Sequence, residues 1–410
     1  MKLFIYEYAS GGGFLGRDIP PSFFSEGYGM LRSLIADLKS ANYDVATILD
    51  HRLRGFGSLL AANKIYVAQS IDEMNRLMKK LINSTDATYI IAPESNQILQ
   101  NLVEKTGFYG GVSLNCSPAT IRKFSNKITV YNVLKKAGFF VPKTIKINFF
   151  ENREQIKYLV RQLCFPLIFK PVDGVGCRGL SIVSKADEIE PAIKKIMFES
   201  STKSFLAQRR IKGTAISVAV LSDGSNILPL ALSKQWVKLT PPSSESTYFG
   251  GIMPFSSHLK TKIFETVTAA LRAFGVFYGY VGVDLIVSRS ELFILDINPR
   301  ITTSYLGLRK ILNFNPAHTL VDAKILGHKI PTKVKLSGSA IFSKIRVSPK
   351  KILRKEEEIF KIRDLISPPV SPTQQHKYAY LMLCTHSSTL KDAKKNFRQV
   401  ENHIKLKYSN

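Results

Sequence analysis

Residues 279–298 constrain the fold more than any other stretch. Two apolar runs, 279–287 and 291–297, flank Ser288-Arg289-Ser290 and read as an antiparallel hairpin. The second run leads into Asp296-Ile297-Asn298-Pro299-Arg300. Side chains alternate faces along a strand, so Asp296 and Asn298 share one side, and hairpin pairing brings Asp284 toward it. Two carboxylates and an amide oxygen form a hard oxygen set suited to Mg²⁺ shared with substrate phosphates. Each residue alone reads as part of a solvated face; all three together, with Arg300 close behind, point to a metal site.

The rest of the chain supplies an α/β frame. Residues 2–8 read as a buried strand entering Ser10-Gly11-Gly12-Gly13, and residues 25–39 show helical spacing. Residues 43–49 and 88–92 are further strands with a helix at 71–81 between them, which indicates a parallel α/β unit over 1–115. Residues 119–136 read as one helix stopped by Gly138. A strand at 166–170, a glycine-rich turn at 173–179, a helix at 186–197 and strands at 205–208 and 217–221 follow. Residues 234–251, with Pro241-Pro242 and several serines, read as a long loop or a lid. Beyond 335 come a Pro-containing loop at 366–372, a strand at 378–384 and a closing helix from Leu390. With 410 residues the chain accommodates two or three domains, divided as 1–115, 116–330 and a basic region 331–410.

Composition excludes several classes. At 45% hydrophobic and 22% charged the chain is an ordinary globular one. Cys116, Cys164, Cys177 and Cys384 form no CxxC pair, which argues for a reducing compartment and against a structural zinc site. Glu7 interrupts the first apolar run, no signal-peptide pattern follows, and no apolar stretch reaches about 18 residues. The expectation is a cytoplasmic protein with no membrane partner. The formal charge of +27 admits steering of anionic small molecules or nucleic-acid binding. The lysines are dispersed in pairs such as Lys79-Lys80, Lys194-Lys195 and Lys350-Lys351, and no basic helix carries interleaved aromatics. Steering and a plain solvated surface therefore stand level, with nucleic acid third.

A second element is Phe169-Lys170-Pro171 leading into Asp173-Gly174-Val175-Gly176-Cys177-Arg178-Gly179. A lysine ending a strand before such a turn can reach phosphate oxygens while the glycines admit backbone N–H groups. No Gly-Lys-Ser/Thr follows, so this is not a Walker sequence.

Asp284, the D-x-N-P-R pentad, and the lysine with its glycine-rich turn together resemble the ATP-grasp superfamily. The resemblance covers roughly residues 115–330 and implies an ATP-grasp fold preceded by a parallel α/β domain, with a small lobe at 116–205 and a large lobe at 206–330. It implies ATP and Mg²⁺ as cofactors, with Mn²⁺ able to stand in. Lys127 and Lys170 match the phosphate-binding lysines, Gly174, Gly176 and Gly179 the loop over the triphosphate, and the backbone at Gln208 and Ile211 the adenine contacts. Asp284, Asp296 and Asn298 match the metal ligands, with Asp where most relatives have Glu at 296. Arg300 and Lys170 match catalytic positions. Many relatives carry a ribose-binding Glu where this chain has Ala215.

The flanks are more specific. Glu7-Tyr8-Ala9-Ser10-Gly11-Gly12-Gly13-Phe14, Glu26-Gly27 with Met30-Leu31, and Asn298 through Tyr305 resemble the tyramine–glutamate ligase group. That likeness implies an ATP-dependent ligase joining a small-molecule carboxylate, the γ-carboxylate of glutamate, to an amine such as tyramine, a step toward methanofuran. A homo-oligomer is compatible with it. The alternatives are another amino acid or amine, a nucleotide sensor without turnover, and a basic nucleic-acid-binding protein.

Overall fold

The computed structural model describes residues 1–352, 356–370 and 378–409; positions 371 and 372 of the expected Pro-containing loop lie outside them. Strand β1 (Lys2–Glu7) buries Leu3 and Ile5 in one layer and Phe4 and Tyr6 in another. It joins β2 (Asp44–Asp50), β3 (Lys64–Ala68) and β4 (Ala87–Ile91) in a parallel sheet of order β3-β2-β1-β4. Both faces of a parallel sheet need cover. Helix α1 (Pro21–Ser40) covers one through Leu31, Leu34 and Ile35. Helices α2 (Ile71–Ser84) and α3 (Ile98–Phe108) cover the other through Met74, Met78, Leu99 and Val103.

The single helix expected over 119–136 is two helices, α4 (Pro118–Ser125) and α5 (Lys127–Lys136). Asn126 between them has extended backbone, and its Oδ1 accepts the amides of Ile128 and Thr129, each at 3.1 Å. Asparagine competes for local backbone donors and so favours a cap over a helix interior. The break sets Lys127 at the first position of α5.

The next sheet is antiparallel, built from β5 (Thr144–Asn148), β6 (Leu167–Pro171), β7 (Ser181–Val183) and β8 (Ser204–Arg209) in the order β5-β8-β6-β7. Its core includes Phe169, Phe205 and Ile196.

The largest sheet has eight antiparallel strands: β9 (Thr214–Asp223), β10 (Ile227–Lys238), β11 (Thr247–Met253), β12 (Tyr278–Ser288), β13 (Glu291–Asn298), β14 (Ser339–Val347), β15 (Leu365–Ser367) and β16 (Ala379–Ser387). Their order is β13-β12-β9-β10-β11-β14-β16-β15. The loop expected over 234–251 is mostly the hairpin β10–β11, with only 239–246 connecting the strands. The prolines and serines belong to that turn, whereas the flanks carry Trp236, Val237, Thr247, Tyr248 and Phe249, types that favour strands. Among the described residues no helix is long and apolar enough to cross a membrane.

Helix α1 is also tied to the large sheet. Asp37, 5% exposed, accepts Tyr305 Oη at 2.6 Å and Arg309 Nε at 2.7 Å, and its carbonyl accepts Asn315 Nδ2 at 2.7 Å. Tyr305 and Arg309 lie on the helix Tyr305–Ile311, which immediately follows the segment 298–304. Removing one partner of a buried pair strands the other charge. Asp37→Ala is therefore expected to cost about 3 kcal/mol in chemical denaturation. A loss under about 1 kcal/mol would mean that the network is dispensable.

Candidate active site

The β12–β13 register sets Asp284 opposite Asp296 and Gly282 opposite Asn298. The hairpin closes through Arg289 and Ser290, with Arg289 in left-handed backbone at φ 53°. Asn298 Nδ2 donates to Asp284 Oδ2 at 3.0 Å, and Gln235 Nε2 from β10 donates to Asp284 Oδ1 at 2.9 Å. Asp296 Oδ1 meets Lys127 Nζ at 3.0 Å and Lys170 Nζ at 3.2 Å. The structure thus brings together five residues singled out from sequence, drawn from α5, β6, β12 and β13.

Their electrostatics are unequal. Burial pushes the Asp284 carboxyl up, and the like charge of Asp296 adds to the effect. Burial acts the same way on Asp296, but Lys127 and Lys170 outweigh it and hold that carboxyl below its usual range. Burial lowers Lys170; it also opposes the charge on Lys127, but there Asp296, with Glu94 and Asp284, together outweigh it and raise the ammonium. Against burial and like charge at Asp284 stand hydrogen bonds from Ser217 and Asn298 and the more distant charge of Lys127, which do not offset them. Among the described residues no three His, Cys, Asp or Glu side chains cluster as a metal cage. Two facing carboxylates plus an amide oxygen instead fit Mg²⁺, which keeps water and phosphate as its remaining ligands.

These residues line a cavity of about 670 Å³. Gly174 and Gly176 of the turn after β6 face it. Gly176 has φ +62°, a conformation that glycine adopts at little cost. Gly179 (φ +69°) is not brought into the cavity: its N–H donates to Glu199 Oε2 at 2.6 Å, and an added Cβ would meet Pro171 Cγ at 2.9 Å. Gln208 and Ile211 line the other side. The Gln208 side chain donates to Thr144 Oγ1 at 2.8 Å, and the chain leaves the sheet after Arg209. Ala215 pairs with Ile286 and lines the same wall, with no carboxylate at its position.

Arg300 enters from the opposite side. Open parallel sheets bind ligands outside the carboxyl ends of their strands. There Arg300 Nη2 pairs with Glu94 Oε2 at 3.1 Å, just past β4, and Ile301 N donates to Tyr89 Oη at 3.0 Å. Burial alone would lower the guanidinium, but Glu94 outweighs it and raises it. Arg300 Nε and Glu94 Oε1 are buried without a partner among the described residues. Glu94, Gln235 and Thr303 were not singled out from sequence. Glu94 had a legible signal, an acid three residues past a buried parallel strand; Gln235 had none, because its position depends on the β9–β10 register.

Glu7 closes β1 beside this crevice. Its carboxyl accepts Ala9 N at 2.9 Å, Ser10 N at 2.7 Å and Ser10 Oγ at 2.6 Å. A Cβ on Gly27 would lie 2.2 Å from Glu7 Oε1, so only glycine lets α1 pass here. Burial pushes Glu7 up to about 7 against those hydrogen bonds. A folded value above the unfolded one means the native state holds a proton that the unfolded chain has released. The stability gained is complete below about pH 4.5 and is lost as pH rises through about 7. The wild-type thermal midpoint should therefore fall between pH 5 and pH 8 relative to that of Glu7→Gln. Parallel pH profiles for the two proteins would refute this.

Residues 124–304 match the family model described as ATP-grasp domain, and residues 43–121 match that described as pre ATP-grasp 3 domain. The chain is similar to the tyramine–L-glutamate ligase of Methanocaldococcus jannaschii, 26% identical over 309 residues, covering 75% of this chain and 84% of that protein. It is 29% identical over 237 residues to the tyramine–L-glutamate ligase of Methanocaldococcus fervens, covering 58% of this chain and 65% of that protein, just under two thirds of its length. Among solved structures, biotin carboxylase from Campylobacter jejuni superposes with a TM-score of 0.71 at 15% identity, covering 97% of this chain and 90% of that one. N5-carboxyaminoimidazole synthetase from Staphylococcus aureus gives 0.66 at 15%, covering 98% and 97%. At such identities these two structures show the shared fold alone.

Proposed function

We propose that this chain, with residues 124–304 matching the ATP-grasp domain model and 43–121 the pre ATP-grasp 3 domain model, is an ATP- and Mg²⁺-dependent ligase that joins a carboxylate to an amine through an acyl phosphate. The observation that carries the reading is the contact of Lys127 and Lys170 with one oxygen of Asp296, opposite Asp284 and two residues before Asn298 on the same strand. Lys127 and Lys170 would bind triphosphate oxygens, and the amides of the turn at Gly174 and Gly176 would approach the same phosphates. Asp284, Asp296 and Asn298 would hold Mg²⁺, or Mn²⁺ in its place. Bound there, the metal would offset charge on the transferring phosphoryl group. Gln208 and Ile211 would take the adenine.

A carboxylate oxygen is a poor leaving group, so the acid must be activated. Its oxygen takes the γ-phosphoryl group and ADP departs; the amine then attacks the carbonyl, the C–O bond to phosphate breaks, and the amide remains. Catalysis of this kind needs positioning and charge stabilisation more than covalent help. Arg300, anchored by Glu94, would steady the acyl phosphate, with Lys170 stabilising the phosphoryl group in flight. Glutamate, through its γ-carboxylate, and tyramine are the substrates we infer. The support is the likeness to the two Methanocaldococcus proteins and the contacts that join segments 7–14, 26–31 and 298–305, Gly27 against Glu7 and Glu26 with Thr303. The competing reading, a nucleotide sensor without turnover, is favoured by Ala215.

Asp296→Ala and Asn298→Ala should each lower turnover by about two orders of magnitude or more at saturating Mg²⁺; Asn298→Ala should leave stability unchanged, whereas Asp296→Ala should lower it because Lys127 and Lys170 lose the anion between them. Near-normal turnover would remove those residues from the metal site. Lys170→Ala should raise the ATP requirement and slow phosphoryl transfer; an unchanged ATP dependence would leave the lysine structural. Labelled glutamate with tyramine and ATP should give a γ-glutamyl amide, ADP and phosphate. AMP with pyrophosphate would signal adenylation instead, and consumption of another amine would overturn only the tyramine assignment.

A further inference from the structure

We propose that Glu26 is the seat for the ammonium group of the incoming amine, an inference that rests on the ligase reading above. Three acidic residues line the cavity: Asp284, Asp296 and Glu26. The first two face one another across the β12–β13 hairpin, and the lysines and the metal site account for them. Glu26 comes from a different unit, on α1, one residue before the glycine that packs against Glu7. It is the cavity carboxylate outside that set, and although paired with Lys344 it keeps an edge exposed to the cavity.

The construction of Glu26 is that of a fixed receptor group. Lys344 Nζ, on a side chain 1% exposed, donates to Glu26 Oε1 at 2.5 Å and to Ser22 Oγ at 2.8 Å. Thr303 Oγ1 donates to Glu26 Oε2 at 2.8 Å. A lysine buried this deeply is tolerable only when paired, so the contact with Lys344, together with Thr303, holds the Glu26 carboxyl in one orientation. Each carboxylate oxygen has lone-pair capacity beyond one donor. The Glu26 side chain keeps 17% of its surface exposed, and it lines the cavity.

Its neighbours match a primary amine that binds as the ammonium and gives up one proton, to Glu26 or to water, before its nitrogen attacks the acyl carbonyl. Arg300, assigned to the acyl phosphate, feels the Glu26 charge directly. The Thr302 and Ser304 hydroxyls, 2.8 Å apart, line the same wall. Tyr248 from β11 presents an aromatic side chain to the cavity and also feels the Glu26 charge. A carboxylate beside an aromatic ring suits an arylalkylammonium, whose charge and apolar body need different partners.

Acyl-phosphate formation and amine capture can be assayed apart. Hydroxylamine is largely neutral near neutral pH, so it can trap an acyl phosphate as a hydroxamate without an anionic seat. In the Glu26→Gln protein the KM for tyramine should rise about tenfold or more, because a charge-assisted contact is lost. Glutamate-dependent hydroxamate formation should stay within about threefold of wild type, on the same footing that no ammonium is needed. Thr303→Val, which leaves the Lys344 pair intact, should raise the tyramine KM by about threefold. An unchanged tyramine KM in Glu26→Gln overturns the inference. So does an equal loss of hydroxamate and amide, or a raised KM for glutamate, which would give Glu26 to the amino acid's own ammonium. If Glu26→Gln does not fold, an unchanged tyramine KM in Thr303→Val overturns it. Wild-type protein making neither hydroxamate nor amide from glutamate would defeat the ligase reading itself, a result separable from all of these.

Discussion

The arrangement of the whole site depends on one oxygen, Asp296 Oδ1, which meets two lysine ammoniums at 3.0 and 3.2 Å. Lys127 opens α5, Lys170 lies in β6, and Asp296 lies in β13, so three separately built elements meet at one atom. Two buried ammoniums so close would repel strongly without an anion between them. The carboxylate fixes the lobes at a spacing that a phosphate oxygen could equally satisfy, since both are anionic acceptors of charge-assisted hydrogen bonds. The Asn126 cap belongs to the same logic. Had 119–136 run as one helix, Lys127 would sit mid-helix instead of at the first position of α5.

The parallel sheet contributes chemistry as well as support. The carboxyl ends of its adjacent strands β1 and β4 lead to Glu7 and Glu94, and segment 298–304 docks against them through Arg300 and Ile301. Gly27 brings α1 against Glu7, and the next residue back, Glu26, meets Thr303 of that segment. The Asp37 network then pins α1 to the helix following the segment. Stretches separated by hundreds of residues thus form one wall, because the sheet, α1 and the large sheet share a core containing Leu3, Leu34, Tyr305 and Phe342.

Much of this was legible in the sequence, for reasons that differ by element. Strands β1, β2, β4, β12 and β13 are apolar runs bounded by turn residues, and the shared face of Asp296 and Asn298 follows from strand alternation alone. The break at Asn126 was not legible by periodicity, since the apolar positions continue through it and only the capping preference of one residue divides the helix. The hairpin β10–β11 was hidden because a proline–serine turn dominates a window whose flanks become strands by pairing with β9 and β14. Short strands such as β3 and β7 draw stability from neighbours, so their own residues carry little signal. Glu94 and Lys344 owe their roles to long-range contacts, with Arg300 and Glu26 respectively. Sequence spacing encodes neither contact.

The chain's charge must be weighed locally. A net +27 suggests a polyanion partner only if the charge is contiguous, whereas Lys79-Lys80, Lys194-Lys195 and Lys350-Lys351 sit on separate helices. At physiological ionic strength a charge acts over about 8 Å, so distant lysines contribute little to capture at the cavity. The residues that matter are those at its mouth: Arg178, Arg209, Lys212 and Lys238 are exposed and border it. Inside, Lys127 and Lys170 confront Asp284 and Asp296, a near-neutral centre that a bare anion would gain little by entering. A triphosphate carrying its own divalent cation matches both features. Its excess negative charge would be drawn by the mouth, and its bound metal would meet the two carboxylates within.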